Sequence, residues 1–272
     1  SSLDSTSLNV SDLEQLLTRK TRLVAFPHVS NVTGDINDVK AITAKAHEAG
    51  AMVCVDGVAY APHRTVDVKE WDVDFYVFSF YKVFGPHLGC LYGKRDILLE
   101  AKGQGHYFFP EDDLAHKLNP AGPNHESISA LTGIADYFDC LYKHHFEESG
   151  EGFFQRTQSV YKLIASHEES LARQLLEFIA TKDEIHLLGG ANSETNLRVP
   201  TFSFQIEGIP SLSIPALVAK DEVAIAAGHF YAKRFLDSLD LADKDVVRCS
   251  MAHYNTGEDV ERLIQSLDSL LC

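Results

Sequence analysis

A strand, a helix and a second strand follow one another between residues 23 and 55, and this order constrains the fold of the 272-residue chain most strongly. Residues 23–29 predict a strand, and residues 39–49 carry apolar side chains at helical spacing before Gly50. Residues 51–55 are nearly all apolar, as in a strand covered on both faces. The order predicts a parallel α/β sheet, in which ligands bind beyond the carboxyl ends of the strands.

The remaining elements divide the chain into two expected domains. Two more strands (74–78 and 89–92) and a long loop rich in Gly, Pro and His (102–124) continue the first part, which also has predicted helices at 11–19 and 128–146. A long helix is predicted at 154–181. Beyond residue 184 the pattern predicts short strands at 185–189, 201–205 and 246–250 and helices at 214–219 and 257–270. We expect a large α/β domain over residues 1–150. A long connecting helix and a small α+β domain would occupy residues 151–272.

Charge and cysteine content argue against several functions. The 24 basic and 39 acidic residues give a net charge of −15, and such a surface repels nucleic acid and anionic membranes. No apolar run is long enough to cross a bilayer. The five cysteines form no C-x-x-C pair, so neither a zinc site nor a redox pair is predicted. The cysteine pattern predicts a reducing compartment, and we expect a cytoplasmic protein.

Asp56 and Lys82 are the residues that point to chemistry. Asp56 ends the strand at 51–55, and Lys82 follows the strand at 74–78, so both lie where ligands bind in such a sheet. Pyridoxal 5′-phosphate needs an amine for its aldehyde and a carboxylate for its pyridine nitrogen. Taken singly, a turn aspartate and a surface lysine are the simpler interpretations. Lys82 lies among aromatic side chains, and we expect it to be partly desolvated.

Ordered motifs along the whole chain resemble the pyridoxal-phosphate-dependent class V aminotransferases, and most closely their cysteine desulfurase-like branch. They are residues 28–34 (HVSNVTG), 55–63 (VDGVAYAPH), 74–86 (DFYVFSFYKVFGP), 119–126 (NPAGPNHE) and 247–256 (VRCSMAHYNT). The resemblance implies the aspartate aminotransferase-like fold, known as fold type I. It also implies a homodimer that acts on a small amino acid substrate.

The resemblance further implies a role for each matched residue. Lys82 would be the internal aldimine lysine and would move the proton at the substrate Cα. Asp56 would bind the pyridine nitrogen, and Asn31 would lie near the phenolic oxygen of the cofactor and the substrate. Ser79 would contact the phosphate, and Tyr81 could do the same with its hydroxyl.

Two residues of the C-terminal part are implied in substrate binding. Arg248 would bind the substrate α-carboxylate, a task that suits the two parallel donors of a guanidinium. His229 lies in a loop that is expected to face the site. The histidines at positions 106, 116, 125, 144 and 145 lack metal-ligand spacing with carboxylates, and no metal is predicted.

Four departures from the family pattern limit these expectations. Ala59 stands where many relatives carry Gln, and Gly122 where a loop Thr reaches a neighbouring subunit. Tyr231 stands at the position of the desulfurase persulfide cysteine, and a phenol cannot replace that thiolate nucleophile. In the family, an N-terminal segment that would precede Ser1 supplies a phosphate-binding turn and an aromatic residue that stacks on the cofactor. This sequence does not contain that segment. We therefore expect this chain alone to bind the cofactor weakly or not at all.

Several functions stay open at this point. A lyase of the desulfurase or selenocysteine-lyase kind, a transaminase and a racemase share the first steps that Lys82 would perform. The alternative is a catalytically inactive fragment or scaffold remnant of the same fold. A dinucleotide-binding domain is excluded because no G-x-G-x-x-G follows a strand.

Overall fold

A computed structural model describes residues 6–119, 121–147, 150–241 and 243–271. The chain forms two compact units. The mixed-sheet unit comprises Leu16–His28 and Asp38–Val160, and the antiparallel-sheet unit comprises Ser1–Gln15, Val29–Asn37 and Tyr161–Cys272. The predicted domain boundary at residue 150 stays a prediction. Pro120, within the motif at residues 119–126, lies outside the described residues.

The mixed-sheet unit contains the strand–helix–strand order that the sequence predicts. Its strands are β1 (Leu23–Pro27), β2 (Met52–Asp56), β3 (Phe75–Ser79) and β4 (Gly89–Gly93), in that spatial order. Helix α2 (Val39–Glu48) connects β1 to β2, and β1, β2 and β3 run parallel, which confirms the α/β sheet. Strand β4 is antiparallel to β3 because the short connection between them cannot make a parallel crossover.

Burial alternates along β2. Val53 and Val55 are fully buried, whereas Met52 and Asp56 are exposed. The expectation that both faces of this strand are covered is therefore wrong for the residues described. Since side chains alternate between faces, Asp56 lies on the same, more open face as Met52 and Cys54.

Asp74 lies directly before β3, and its carboxylate contacts residues of three other segments of this unit. Its side chain is buried, and Oδ2 accepts a hydrogen bond from the Val53 backbone at 2.7 Å and lies 2.8 Å from His47 Nε2. Lys94 Nζ lies 3.1 Å from Oδ1. Burial alone would raise the pKa of Asp74, but the bonds from His47, Val53 and Lys94 outweigh it and hold the pKa below its ordinary 3.8.

We expect Asp74→Ala to lower the free energy of unfolding by about 1–3 kcal/mol, because it leaves the buried Val53 N–H unpaired and removes the bonds to the partly exposed His47 and Lys94. Urea unfolding at neutral pH measures this loss. Asp72→Asn is the matched control, since the Asp72 side chain is 70% exposed and also pairs with Lys94, and Asn tolerates the φ of 53° at this position. It should cost less than about 1 kcal/mol. Equal losses in both variants would contradict the buried network. Because the folded pKa is depressed, the contribution is present above pH 3.8 and is lost as the pH falls through the folded pKa.

Short helices follow β4 in the chain. They are α3 (Arg95–Glu100), α4 (Leu114–Lys117), α5 (His125–Ala130) and α6 (Thr132–His145). The helix predicted over residues 128–146 is thus two helices with Leu131 between them. Helix α4 lies within the predicted long loop, where the buried Lys117 ammonium donates to the Leu99 carbonyl at 2.7 Å. Among the described residues, none of the helices combines the length and the apolar character that a membrane crossing requires.

The antiparallel-sheet unit is built on a second four-stranded sheet. Its strands are β5 (Ile185–Leu188), β6 (Thr201–Ile206), β7 (Ala226–Gly228) and β8 (Val246–Ser250), in the order β5-β6-β8-β7. The helices of this part are α8 (Ile214–Val218), α9 (Lys233–Ser238) and α10 (Gly257–Asp268). The predicted strands in this unit are confirmed, whereas β7 and α9 were not predicted.

The other helices of the described residues are α1 (Val10–Leu16) and α7 (Phe153–Ile179). A boundary between the two units falls inside α7, between Val160 and Tyr161. The C-terminal half of α7 packs on the second sheet through a fully apolar cluster that includes Leu171, Leu175, Phe202 and Phe204. Burial of such side chains is worth about 1.5–3 kcal/mol each and orients β6 and β8. Helix α10 begins with a capping box between Thr256 and Asp259.

Candidate active site

Asp56 is held at the carboxyl end of β2 by its own backbone. The Asp56 carbonyl accepts a hydrogen bond from His28 N at 2.8 Å, and Gly57 N donates to the Val77 carbonyl at 2.8 Å. The side-chain Oδ1 accepts from Val58 N at 2.9 Å. The carboxylate is exposed, and its Oδ2 has no partner among the described residues. Asp56 is therefore fixed in direction and still able to bind a cation.

An aromatic cluster packs beside Asp56. The buried His28 ring stacks on Tyr60 at 3.5 Å, and His28 Nδ1 lies 3.0 Å from the Tyr76 hydroxyl. Burial lowers the pKa of His28 to about 3 and raises the pKa of Tyr60 to about 12, so both rings are neutral at physiological pH. A Cβ on Gly57 would lie 2.1 Å from the Tyr76 ring, so only glycine fits there. No pattern in the sequence predicts this cluster, although His28 opens the motif at residues 28–34.

Lys82 ends a single 3₁₀ turn, Phe80–Lys82, directly after β3. Val83 N donates to the Phe80 carbonyl at 2.8 Å and closes the turn. The Lys82 side chain is exposed, and so are its neighbours Tyr81 and Phe84. The expectation of partial desolvation is therefore wrong for the described residues. The ammonium has no partner among the described residues.

Ser79 and Tyr81 complete the predicted set in the mixed-sheet unit. Ser79 is the last residue of β3 and lies opposite Gly89 of β4. The Tyr81 ring stacks on His87 at 4.8 Å. Because β2 and β3 are parallel neighbours, with Asp56 opposite Val77, the carboxylate, the hydroxyls and the amine follow the same ends of two adjacent strands. This donor set fits pyridoxal 5′-phosphate: a carboxylate for its ring nitrogen, hydroxyls for its phosphate and an amine for its aldehyde.

Asn31 and Arg248 meet in the antiparallel-sheet unit, although 217 positions separate them in the sequence. The Arg248 Nη1 donates to the Asn31 carbonyl at 2.8 Å, and the Asn31 side-chain amide donates to the Phe230 carbonyl at 2.7 Å. The Arg248 guanidinium lies 4.0 Å from the centroid of the Phe230 ring. Burial lowers the pKa of Arg248 below its ordinary value. Asn31 and Arg248 are both candidate site residues predicted from the sequence, whereas Phe230 is not.

The turn that carries Phe230 has an unusual backbone. Ala232 N donates to the His229 carbonyl at 2.8 Å, and the two central residues, Phe230 and Tyr231, have φ of 49° and 61°. Positive φ at both positions defines a type I′ turn, which normally carries Asn or Gly there. The exposed His229 accepts a hydrogen bond from Tyr231 N through Nδ1 at 3.2 Å. The Tyr231 side chain is fully exposed.

We expect Tyr231→Asn to raise the free energy of unfolding by about 0.5–1 kcal/mol. Asn tolerates the left-handed conformation that costs a bulky residue about 1–2 kcal/mol, and the exposed ring loses little on removal. Chemical denaturation measures the change. The control is Tyr254→Asn, at another exposed tyrosine whose φ is not positive, and it should stay within about 0.5 kcal/mol of the parent. A loss of stability in Tyr231→Asn would contradict the assigned strain.

The comparisons with known proteins agree with this fold. The model of the family "Aminotransferase class-V" matches residues 2–149 and 153–263. The "Aminotransferase-like protein FGM3" of Gibberella zeae is 40% identical over the whole chain, which covers 64% of that protein. The "Cysteine desulfurase-like protein ustD" of Aspergillus flavus is 36% identical over 98% of the chain, which covers 58% of that protein.

Among solved structures, the cysteine desulfurase CsdA of Escherichia coli is similar, with a TM-score of 0.75 and 27% sequence identity. The match covers 97% of this chain and 62% of that chain. The chain thus spans about three fifths of the length of these relatives.

Proposed function

Since the chain belongs to the class V aminotransferase family, we propose that it is part of a pyridoxal-phosphate enzyme that acts on an amino acid. The observation that carries this proposal is the placement of Asp56 and Lys82 after neighbouring parallel strands of one sheet. When bound, pyridoxal 5′-phosphate supplies an aldehyde that joins to amines and a protonated ring that withdraws electrons from the substrate Cα.

The residues of the mixed-sheet unit would hold this cofactor. Asp56 offers a carboxylate with one free oxygen, and a charge-assisted bond from it to the pyridine nitrogen keeps that nitrogen protonated. Ser79 and Tyr81 offer hydroxyls for the phosphate. Lys82 would hold the cofactor through its aldehyde, and its amine would move the proton at the substrate Cα.

The residues of the antiparallel-sheet unit would bind the substrate. Arg248 keeps most of its five N–H donors after its bond to Asn31 and binds the α-carboxylate with them. Asn31 has used one of its two amide hydrogens on Phe230, so one donor and the side-chain oxygen remain for the cofactor and substrate. His229 is the second substrate-binding residue, through the ring nitrogen that does not accept from Tyr231.

We leave the outcome after Cα deprotonation open between lyase, transaminase and racemase chemistry. Sulfur transfer through a persulfide at position 231 is not proposed, because this position carries a fully exposed tyrosine. A homodimer and a cytoplasmic location stay predictions that follow from the resemblance and from the cysteine pattern.

Exchange of the substrate Cα proton tests the proposal without knowledge of the product. The full-length protein, loaded with pyridoxal 5′-phosphate, is incubated in D₂O with each common amino acid, and proton NMR follows the Cα signal. We expect enzyme-dependent loss of this signal for at least one amino acid, because lyase, transaminase and racemase reactions all begin with Cα deprotonation. A Cα signal that stays intact for every amino acid would contradict the proposal.

The alternative is a catalytically inactive fragment or scaffold of the same fold. The exposure of both Asp56 and Lys82 in the described residues favours it, since a desolvated lysine is the more reactive amine. The two candidates differ in their response to loss of Lys82. An enzyme then loses turnover, whereas a scaffold keeps its binding properties.

A further inference from the structure

The Phe230 ring restricts the orientation of the Arg248 guanidinium, the group proposed above to bind the substrate carboxylate. Its ring centroid lies 4.0 Å from Arg248 Cζ, within the range of a cation–π contact. Arg248 is half-buried, and its Nη1 is tied to the Asn31 carbonyl. A stacked face and one anchored nitrogen together fix the guanidinium plane. The donors that remain therefore have a defined direction before any ligand binds.

The contacts among Asn31, Phe230 and Arg248 form a closed triangle. Asn31 receives a bond from Arg248 through its backbone oxygen and gives one to the Phe230 carbonyl through its side chain. Each residue thus contacts both others, and the three come from the segment 29–37, the turn after β7 and strand β8. Both Asn31 and Phe230 therefore help to hold the guanidinium in place.

The strain in the turn is a second, independent observation. Phe230 and Tyr231 both adopt the left-handed conformation, which bulky side chains rarely do. Consecutive strained residues persist only where the surrounding contacts hold them, and such strain concentrates at functional sites. Here the strained turn is the element that places the Phe230 ring against Arg248.

We propose that Phe230 is a substrate-positioning residue, which orients the Arg248 guanidinium for a carboxylate ligand from a strained turn anchored by Asn31. This inference rests on the proposed role of Arg248 as the carboxylate-binding residue. The inference gives the turn at residues 229–232 a role in substrate orientation. In this turn, Tyr231 stands at the position that the family resemblance aligns with a cysteine.

Binding of a simple carboxylate tests the positioning role apart from catalysis. The probes are propionate and propionamide, which have similar shapes and differ in charge, titrated by calorimetry into the full-length protein loaded with pyridoxal 5′-phosphate. Phe230→Leu should raise the propionate Kd about three- to tenfold, which is the effect expected from the loss of a partly desolvated cation–π contact. The propionamide Kd should stay unchanged. Phe230→Tyr keeps a ring and should restore the propionate Kd to within about twofold of the parent.

Phe235→Leu is the matched control, because Phe235 packs on the same small apolar cluster as Phe230, whereas the ring that lies over Arg248 is that of Phe230. It should leave both Kd values unchanged. An unchanged propionate Kd in Phe230→Leu, or equal effects in Phe230→Leu and Phe235→Leu, would overturn the inference. Arg248→Ala separates this failure from failure of the proposed function: if it leaves propionate binding intact, the role of Arg248 is itself wrong.

Discussion

Lys82→Ala is expected to lower the rate of Cα proton exchange by about 100- to 10,000-fold, the contribution of a positioned general base. The exposed Lys82 has no partner among the described residues, so its replacement removes an amine and little packing. Thermal unfolding should therefore change little. The measurement is the exchange rate of a reactive amino acid in D₂O, with the full-length protein and saturating pyridoxal 5′-phosphate.

Lys69→Ala is the control for this variant, since Lys69 is another exposed lysine of the mixed-sheet unit. It should keep the parent exchange rate. If the two variants catalyse exchange equally fast, Lys82 is not the base. If neither the parent nor any variant catalyses exchange, the result supports the alternative of an inactive scaffold.

Asp56→Asn is expected to lower the same rate about 10- to 100-fold. The amide cannot keep the pyridine nitrogen protonated, and a hydrogen bond to a charged group is worth about 1.5–3 kcal/mol. Asparagine retains the Oδ1 that accepts the Val58 N–H, so the turn after β2 should survive the change. The loss should appear in kcat and be accompanied by a change in the visible spectrum of the bound cofactor.

Asp67→Asn provides a matched control on the same unit. Asp67 also accepts backbone N–H groups through Oδ1, from Lys69 at 3.2 Å and Glu70 at 3.0 Å, but has no assigned cofactor role. Its substitution should leave the rate and the spectrum unchanged. A full rate in Asp56→Asn would show that the pyridine nitrogen needs no carboxylate at this position.

The parallel sheet could be predicted because its signals are local. Helix α2 carries apolar residues at a 3.6-residue period and ends at Glu48, two residues before Gly50, which has φ of 77°. Strands β2 and β3 are short apolar runs, and their ends located Asp56 and Lys82. The antiparallel direction of β4 and the open face of β2 could not be predicted this way, since both depend on which strands become neighbours.

The surroundings of Arg248 could not be predicted, because they depend on contacts across the sequence. Nothing local to Arg248 indicates that it bonds to a carbonyl 217 positions away. The turn at residues 229–232 lacks the Gly or Asn that normally indicates positive φ, so β7, the turn and α9 were all missed. At the N-terminus, Ser11 suggested a helix start, whereas α1 already begins at Val10 and Asn9 Oδ1 accepts from Ser11 N.

Attachment of the cofactor to Lys82 is the central claim, and one measurement tests it directly. The full-length protein is incubated with pyridoxal 5′-phosphate, reduced with borohydride to fix the cofactor on the lysine that carries it, and digested for peptide mass spectrometry. We expect the added mass on the peptide that contains Lys82, and its loss in Lys82→Ala. A label on a different lysine, or no label on any peptide, would contradict the assignment.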